Sequence, residues 1–348
     1  MYRHRDSTHR WGAEPAPGRR HARREKLVEH PKPVVVVSRC LEFEPVRYNA
    51  QVIPYDFIRE LEPFVEYRPV CPELEIGLGV PRDPIRIVTI DGEARLVQPD
   101  TDRDVTVEMR EFSDAFLGSL DVVDGFILKN RSPSCGITDV KIYRGIEPSS
   151  SSTRGAGFFG GRVLDLYPGL AIEDEGRLRN YTIREHFLTK LFTLTRFRKL
   201  KESGAMRDLV RFQAENKLLL MAYSQKELRA MGRIVANPEK EPFERVIARY
   251  EEHLHAALSR LPRYTSVINV LEHAAGYFKN ELKGREKAFY RESLARYRNR
   301  QVPISAVSSI LRAWIVRFDE EYLLPQTFFM PYPEPLMSLS DSGKGRIG

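Results

Sequence analysis

The chain has 348 residues, 42% of them hydrophobic and 30% charged, enough apolar material for a sizeable core or for two domains. No run approaches the ~18 apolar residues of a membrane span, and residues 1–30 lack the apolar centre of a secretory signal, so a cytoplasmic protein without a membrane partner is expected. The net charge of +7 divides into +4 over residues 1–30, −9 over 31–175 and +12 over 176–348: a basic tail expected to be disordered, then an acidic and a basic segment that should attract each other.

From Pro33 to about Ile172 short apolar runs alternate with helical patterns, as in a parallel α/β sheet. Val34–Val37 reads as a buried strand. Ile53, Phe57, Ile58 and Leu61 give Val52–Phe64 a helical spacing that ends at Pro63, and an extended run follows over Val65–Val70. Ile85–Gly92 reads as a strand closed by the turn signal Asp91-Gly92. Met109, Phe112, Phe116 and Leu120 mark one helix face before a strand over Gly125–Leu128, and Pro148–Thr153, with four serines, reads as a loop. The boundary falls between Asp174 and Tyr181, after which the apolar period is 3.6 throughout. Thr182 with Glu185, and Ser224 with Glu227, fit capping boxes. Further helices are predicted over Glu241–Leu261, Ser266–Lys283 and Ile304–Phe318, with Gly204, Pro238, Pro262 and Pro303 as breaks.

Cys40, Cys71 and Cys135 are the three cysteines, an odd number with no CxxC pair, so neither disulfides nor a zinc ribbon are expected. Each lies just past an extended apolar run, in "VVVVSRC", "FVEYRPVC" and "GFILKNRSPSC". The carboxyl ends of strands in an open α/β sheet share one edge, where three distant thiols can converge; buried inert thiols are the alternative. Pro133 and Gly136 around Cys135, the hydroxyls of Ser132 and Ser134, and Pro72-Glu73 after Cys71 are unusual surroundings for inert core thiols. Three thiolates around a cuboidal 4Fe-4S cluster leave one iron without a protein ligand, a soft Lewis acid suited to sulfur.

"VVVVSRC", "VRYNA", "PVCPELEIGLGVPR" and "ILKNRSPSCG", in that order, resemble the thiouracil desulfidase (TudS) family over about Lys32–Arg177. "ENKLLLMAY", "LEHAAGYFKNELKGREKAFY" and "LLPQTFFMPYPEPL" resemble a YbgA-type helical domain of unknown function. The first resemblance implies an α/β Rossmann-like N-terminal domain with a mostly parallel sheet, followed here by an all-α helical C-terminal domain. The expected arrangement is a tail at 1–30, the α/β iron–sulfur domain at 31–178, the helical domain at 179–338 and a flexible C-terminus at 339–348. It also implies a catalytic 4Fe-4S cluster with three Cys ligands (Cys40, Cys71, Cys135) and one open iron, and a small thiolated pyrimidine, base or nucleotide, as substrate. "LEFEPVRYNA" keeps Arg47 and Tyr48 but has Asn49 and Ala50 where Asp and Gly are usual in the family.

On this reading Glu73 is the expected general base, with a salt bridge to Arg82 as its alternative role, and Ser132 the expected donor to the ring or its developing charge, although a serine before proline often only shapes a turn. Arg47, Tyr48, Lys129, Arg131 and Ser134 are the expected substrate-binding residues. The helical half is expected to dock over the cluster edge, and its basic charge makes RNA a candidate partner. "GAGFFG" (Gly155–Gly160) satisfies the dinucleotide pattern, but "SSSSTR" before it is no strand, so a close turn into a helix is expected. His253 and His255, two apart, face different sides of a helix and make a poor metal pair. His273 reads as a packed helix residue, and Lys217, Gln326 and Pro331–Pro333 follow the YbgA-type pattern without a chemistry. Two other classes compete: a tRNA sulfur-inserting enzyme, which needs a nucleotide-activating Ser-Gly-Gly-x-Asp-Ser loop that the sequence lacks, and a metal-bearing tRNA-binding or interaction protein without turnover.

Overall fold

Four consecutive valines suit a strand covered on both faces, because β-branched side chains are stiff in a helix and pack well on a pleated surface. They form β1 (Val34–Ser38), with Val35, Val36 and Val37 wholly buried. The computed structural model describes residues 28, 30–147 and 150–337; most of the expected N-terminal tail, the segment 339–348, and Pro148 and Ser149 of the expected serine loop lie outside these residues.

After β1 come α1 (Asp56–Leu61), β2 (Glu66–Val70), the single turn α2 (Pro72–Glu75), β3 (Arg86–Ile90), β4 (Glu93–Gln98), β5 (Arg103–Asp104), α3 (Thr106–Gly118), β6 (Gly125–Leu128), β7 (Val140–Tyr143), β8 (Ser152–Gly155), α4 (Phe158–Leu166) and β9 (Ala171–Asp174). The first helix is shorter than its pattern: Pro54 holds the chain before it out of the helix, and Glu62–Phe64, with Pro63, tightens to a 3-10 turn.

β2, β1, β6 and β9, in that order, make an all-parallel sheet, with Val36 opposite both Arg68 and Phe126. The strand expected at Ile85–Gly92 does not join it. β3 turns back through Asp91 (φ 52°) and Gly92 (φ 83°) into β4, and these two strands with β5, β7 and β8 make a second, mixed sheet. Residues 152–153 are likewise strand rather than loop: β8 is a polar, exposed edge strand, which carries no apolar alternation to betray it.

Period-two alternation decides what covers the parallel sheet. Val36, Phe126 and Leu128 face α3 and α4 through Met109, Leu117, Phe159 and Val163. Val35, Val37, Ile127 and Ala171 face α1 and the first helix of the helical half, α5 (Tyr181–Ser203), through Phe57, Ile58, Leu61, Phe187, Leu191 and Phe192. The start of α5 corrects the expected Thr182/Glu185 box: Asn180 Oδ1 accepts the Ile183 N–H at 3.1 Å. Gly204, at φ 62°, ends the helix.

The remaining helices are α6 (Met206–Glu215), α7 (Lys217–Tyr223), α8 (Gln225–Ala236), α9 (Phe243–Ala257), α10 (Tyr264–Gly276), α11 (Gly284–Arg298) and α12 (Ile304–Phe318). Ser224 caps α8 as expected, its Oγ accepting the Glu227 N–H at 3.3 Å, while the Glu227 carboxylate pairs with His253. No separate helix was expected over α11, where only Tyr290, Leu294 and Tyr297 are buried among charged residues. Tyr332 and Leu336 bring the chain's last described segment back onto the sheet face that α5 covers. Apolar packing joins the halves here, and Arg198 pairs across them with the buried Asp124 at 2.8 Å, whose carboxylate also accepts the Val34 N–H. No helix among the described residues is long and apolar enough to cross a membrane.

Two outcomes follow from this packing. A fully buried aliphatic side chain is worth about 1.5–3 kcal/mol, so residues 31–180 expressed alone, which uncover Val35, Val37 and Ile127, should aggregate, and extending the fragment through α5 should raise the soluble yield; equal yields would count against α5 as the missing cover. His186 on α5 lies 3.0 Å from the Tyr223 hydroxyl, and burial holds its ring down to about 4 from 6.5. Between these values the unfolded chain binds the extra proton, so stability should fall as pH drops from about 6.5 to 4. Urea unfolding at both ends of that window should show a flatter acid limb for His186→Gln than for the natural chain.

Candidate active site

β2, β1 and β6 are neighbours, so their carboxyl ends sit side by side at one edge of the sheet. β1 runs out to Cys40, β2 to Cys71, and β6 into the Lys129–Gly136 segment that carries Cys135. All three thiols line one open cleft of about 410 Å³, shared with Arg39, Arg47, Tyr48, Glu73, Arg82, Lys129, Arg131, Ser132 and Ser134. Every residue lining it lies between Ser38 and Cys135, so the expectation that the helical half covers this edge is corrected: the bundle packs on a face of the sheet instead.

The thiols are free, with Cys71 and Cys135 buried and Cys40 half-buried. Burial pushes the Cys40 thiol up to about 12, and the neighbouring Cys71 adds to the effect. Cys71 and Cys135 are raised by burial as well. Against this, the Leu74 N–H beside Cys71, the Ser38 hydroxyl beside Cys135 and the Lys129 charge near Cys40 favour the thiolates. The charges of Cys40 and Cys71 are each felt by Cys135. Yet among the described residues no three His, Cys, Asp or Glu side chains converge closely enough to hold a single metal ion. Three soft thiol donors in a cleft that also carries Arg39, Arg47, Arg82 and Lys129 fit a negatively charged, sulfur-bound iron group by the chemistry of the donor set.

Backbone bonds set the Cys135 loop. Ser132 Oγ accepts the N–H groups of Cys135 (3.1 Å) and Ser134 (3.3 Å), the turn-shaping role that a serine before proline often has. The start of α4 lies against the same loop, with Gly157 N–H bonded to the Gly136 carbonyl at 2.7 Å. "GAGFFG" is thus a close turn into a helix, as expected, although a short strand, β8, does precede it.

Glu73 stands in the cleft, held at both oxygens: Ser134 Oγ donates to Oε1 at 2.6 Å, and the buried Arg82 donates to Oε2 at 2.5 Å through Nη2 and 3.0 Å through Nε. It combines both roles weighed for it, a cleft carboxylate and the partner of Arg82. Lys129 is paired with Glu175 and Arg131 with Asp139. Arg47 has no carboxylate partner among the described residues; its guanidinium lies 5.4 Å from the ring of the exposed Tyr48. Ala50, where the resemblance leads one to expect glycine, adopts φ 54°, a region glycine enters without steric cost. Sequence reading missed Ser38, whose hydroxyl also accepts the Lys129 N–H at 2.9 Å, and gave Arg82 only as an alternative partner; nothing in a valine run marks its last serine as a site residue. Beyond the cleft, His253 pairs with Glu227 and His255 packs over Gly169.

A Rossmann-like sheet with three thiols and a fixed carboxylate at its carboxyl edge defines a class of thiol-site α/β proteins. Residues 35–175 match the 2-thiouracil desulfurase family, and residues 217–333 match a family described as protein of unknown function DUF1722. A solved structure of the 4Fe-4S-dependent thiouracil desulfidase TudS is 30% identical to this chain, covering 42% of it and 93% of the TudS chain, with a TM-score of 0.35. An uncharacterized protein YbgA from Escherichia coli (strain K12) is 26% identical over 158 residues, 45% of this chain and 93% of YbgA. The chain belongs to the 2-thiouracil desulfurase family through its N-terminal half and carries a DUF1722 domain behind it.

Proposed function

We propose that the chain is a 4Fe-4S-dependent desulfidase that hydrolytically removes sulfur from thiolated uracil bases or nucleotides. The observation that carries this reading is the meeting of Cys40, Cys71 and Cys135 at the ends of three adjacent strands, beside a carboxylate held at both oxygens. Held by those three thiolates, a 4Fe-4S cluster supplies one iron free of protein ligands, a soft Lewis acid toward a thiocarbonyl sulfur.

The protein groups supply the rest. Water adds to the ring carbon that bears sulfur, the carbon–sulfur bond breaks, sulfide leaves and a carbonyl oxygen remains; no net electron transfer is involved. Glu73 takes the proton of the attacking water. Arg82 and Ser134 fix the carboxylate by hydrogen bonds, and a carboxylate's several lone-pair sites leave room for a water beside them. Ser132 has its acceptor side committed to loop N–H groups and its hydroxyl 2.9 Å from Ser134 Oγ and 3.4 Å from Glu73 Oε1, so it donates to the ring by turning its proton away from these two neighbours. Tyr48 presents a ring face to the pyrimidine, and Arg47, a cleft cation without a carboxylate partner among the described residues, suits a nucleotide phosphate. Lys129 and Arg131, already paired, contribute mainly to the positive surroundings of the site. A cytoplasmic setting keeps such thiols reduced.

For the helical half we propose recruitment of an RNA substrate, on the strength of the +12 charge of residues 176–348. A metal-bearing tRNA-binding protein without turnover is the second reading; salt-sensitive tRNA binding with full retention of substrate sulfur would favour it. The direct test is anaerobic purification and incubation with thiolated uracils, nucleotides and tRNA. Brown protein with about four irons and four sulfides per chain is expected, and Cys40→Ser, Cys71→Ser or Cys135→Ser should each lose it; colourless protein with stoichiometric zinc after careful reconstitution would sink the cluster. Glu73→Gln should keep the iron and lose turnover by about 10²-fold or more. Wild-type rates in iron-replete Glu73→Gln protein would remove Glu73 as the base.

A further inference from the structure

The Gly155–Gly160 stretch contributes no side chain to the cleft, yet its backbone is bonded to the loop that carries Cys135. The N–H groups of Gly157, Phe158 and Gly160 donate to the carbonyls of Gly136 (2.7 Å), Pro133 (3.0 Å) and Ser134 (2.9 Å). First-turn N–H groups have no acceptor within their own helix. Here α4 spends them on three carbonyls spaced across the Cys135 loop.

Such contact demands that the two backbones come very close. A Cβ on Gly157 would stand 2.5 Å from the Ser134 carbonyl oxygen and 2.7 Å from that of Pro133; on Gly160 it would stand 2.3 Å from the Gly136 oxygen and 2.5 Å from that of Cys135. These obstacles are backbone atoms, which cannot swing aside as a flexible side chain would. The demand is for space rather than for an unusual dihedral, since Gly157 has an extended backbone at φ −77° and Gly160 lies within the helix. Gly161, the next residue, is different: its Cβ would meet only the Ala156 methyl, at 3.4 Å.

We propose that Gly157 and Gly160 are positioning residues that set where the Cys135 thiol stands in the cleft, an inference that rests on the reading of Cys40, Cys71 and Cys135 as ligands of one iron–sulfur cluster. Relieving a 2.3 Å contact to ordinary van der Waals separation needs a shift on the order of 1 Å. Metal–ligand distances tolerate about 0.2 Å. The displaced loop carries Cys135 with it, whereas Cys40 and Cys71 hang from β1 and β2 and do not follow. A methyl group on either glycine therefore breaks the register of the three thiols without touching any of them.

The test uses the full-length chain as natural protein and as Gly157→Ala, Gly160→Ala and Gly161→Ala, each reconstituted anaerobically with iron and sulfide. Folding is followed by far-UV circular dichroism, and iron retention against a chelator and the electron paramagnetic resonance of the reduced protein report on the cluster. Gly161→Ala is expected to match the natural chain, while Gly157→Ala and Gly160→Ala keep their helical spectrum and retain iron about 10-fold or more poorly, with an altered resonance. Natural iron retention and resonance in both variants would overturn the proposal. So would their failure to fold beside a sound Gly161→Ala, because that assigns the glycines to folding in general. If the natural chain itself takes up no cluster, the function reading fails separately. The alkylation rate of Cys135 relative to Cys40 in metal-free protein then decides the positioning: a changed ratio in Gly160→Ala supports it, and an unchanged ratio overturns it.

Discussion

Parallel pairing of β1 with β2 on one side and β6 on the other is the constraint on which the site depends. Neighbouring strands lie about 4.8 Å apart, so three adjacent strand ends place their outgoing chains within roughly 10 Å of one another. Cys40, Cys71 and Cys135 are widely separated in sequence, and none is brought to the others by a local motif. Burial of Val35, Val36 and Val37 on both faces of the central strand makes a slip of register costly, since a one-residue slip would exchange the side chains that face the two helix layers.

The cleft works against its own burial. Removing thiols from water disfavours the thiolates that a cluster needs, and each cysteine is raised for that reason first. The countervailing groups are local: the Leu74 N–H at Cys71, the Ser38 hydroxyl at Cys135 and the Lys129 ammonium near Cys40. Lys129 and Arg82 are themselves tied to Glu175 and Glu73, so their charges stand in fixed places instead of sampling solvent. Rigid, paired charge of this kind costs little to reorganise when charge develops beside it.

The two family matches meet at a helix that serves both halves. α5 lies between the matched segments 35–175 and 217–333, covers one face of the parallel sheet with Phe187, Leu191 and Phe192, and lends Leu194 and Phe197 to a core of the helical half. Tyr332 and Leu336 return to the same sheet face from the far end of the helical segment. The halves are thus joined by shared apolar cores, with Arg198–Asp124 as a half-buried polar tie, and the cleft at the carboxyl edge of the sheet is lined by N-terminal residues.

Periodicity alone determined the valine strand, the strand at Gly125–Leu128, the helix over Ile304–Phe318 and the change from α/β to all-α near residue 180, because each is a local pattern of apolar side chains whose period does not depend on a partner. The three cysteines were legible as a candidate site because each follows an apolar run and so falls at the carboxyl edge of a parallel sheet, and the turn residues around Cys135 and Cys71 set them apart from inert core thiols. Only the tertiary structure decided that β3 leaves the parallel sheet for a second one, that α5 covers a sheet face while the helical half stays off the carboxyl edge, and that Glu73 is shared between Arg82 and Ser134. These are choices among partners distant in the chain. They are settled by which apolar surfaces fit and by which donors reach a given acceptor, and those quantities do not exist until the backbone is in place.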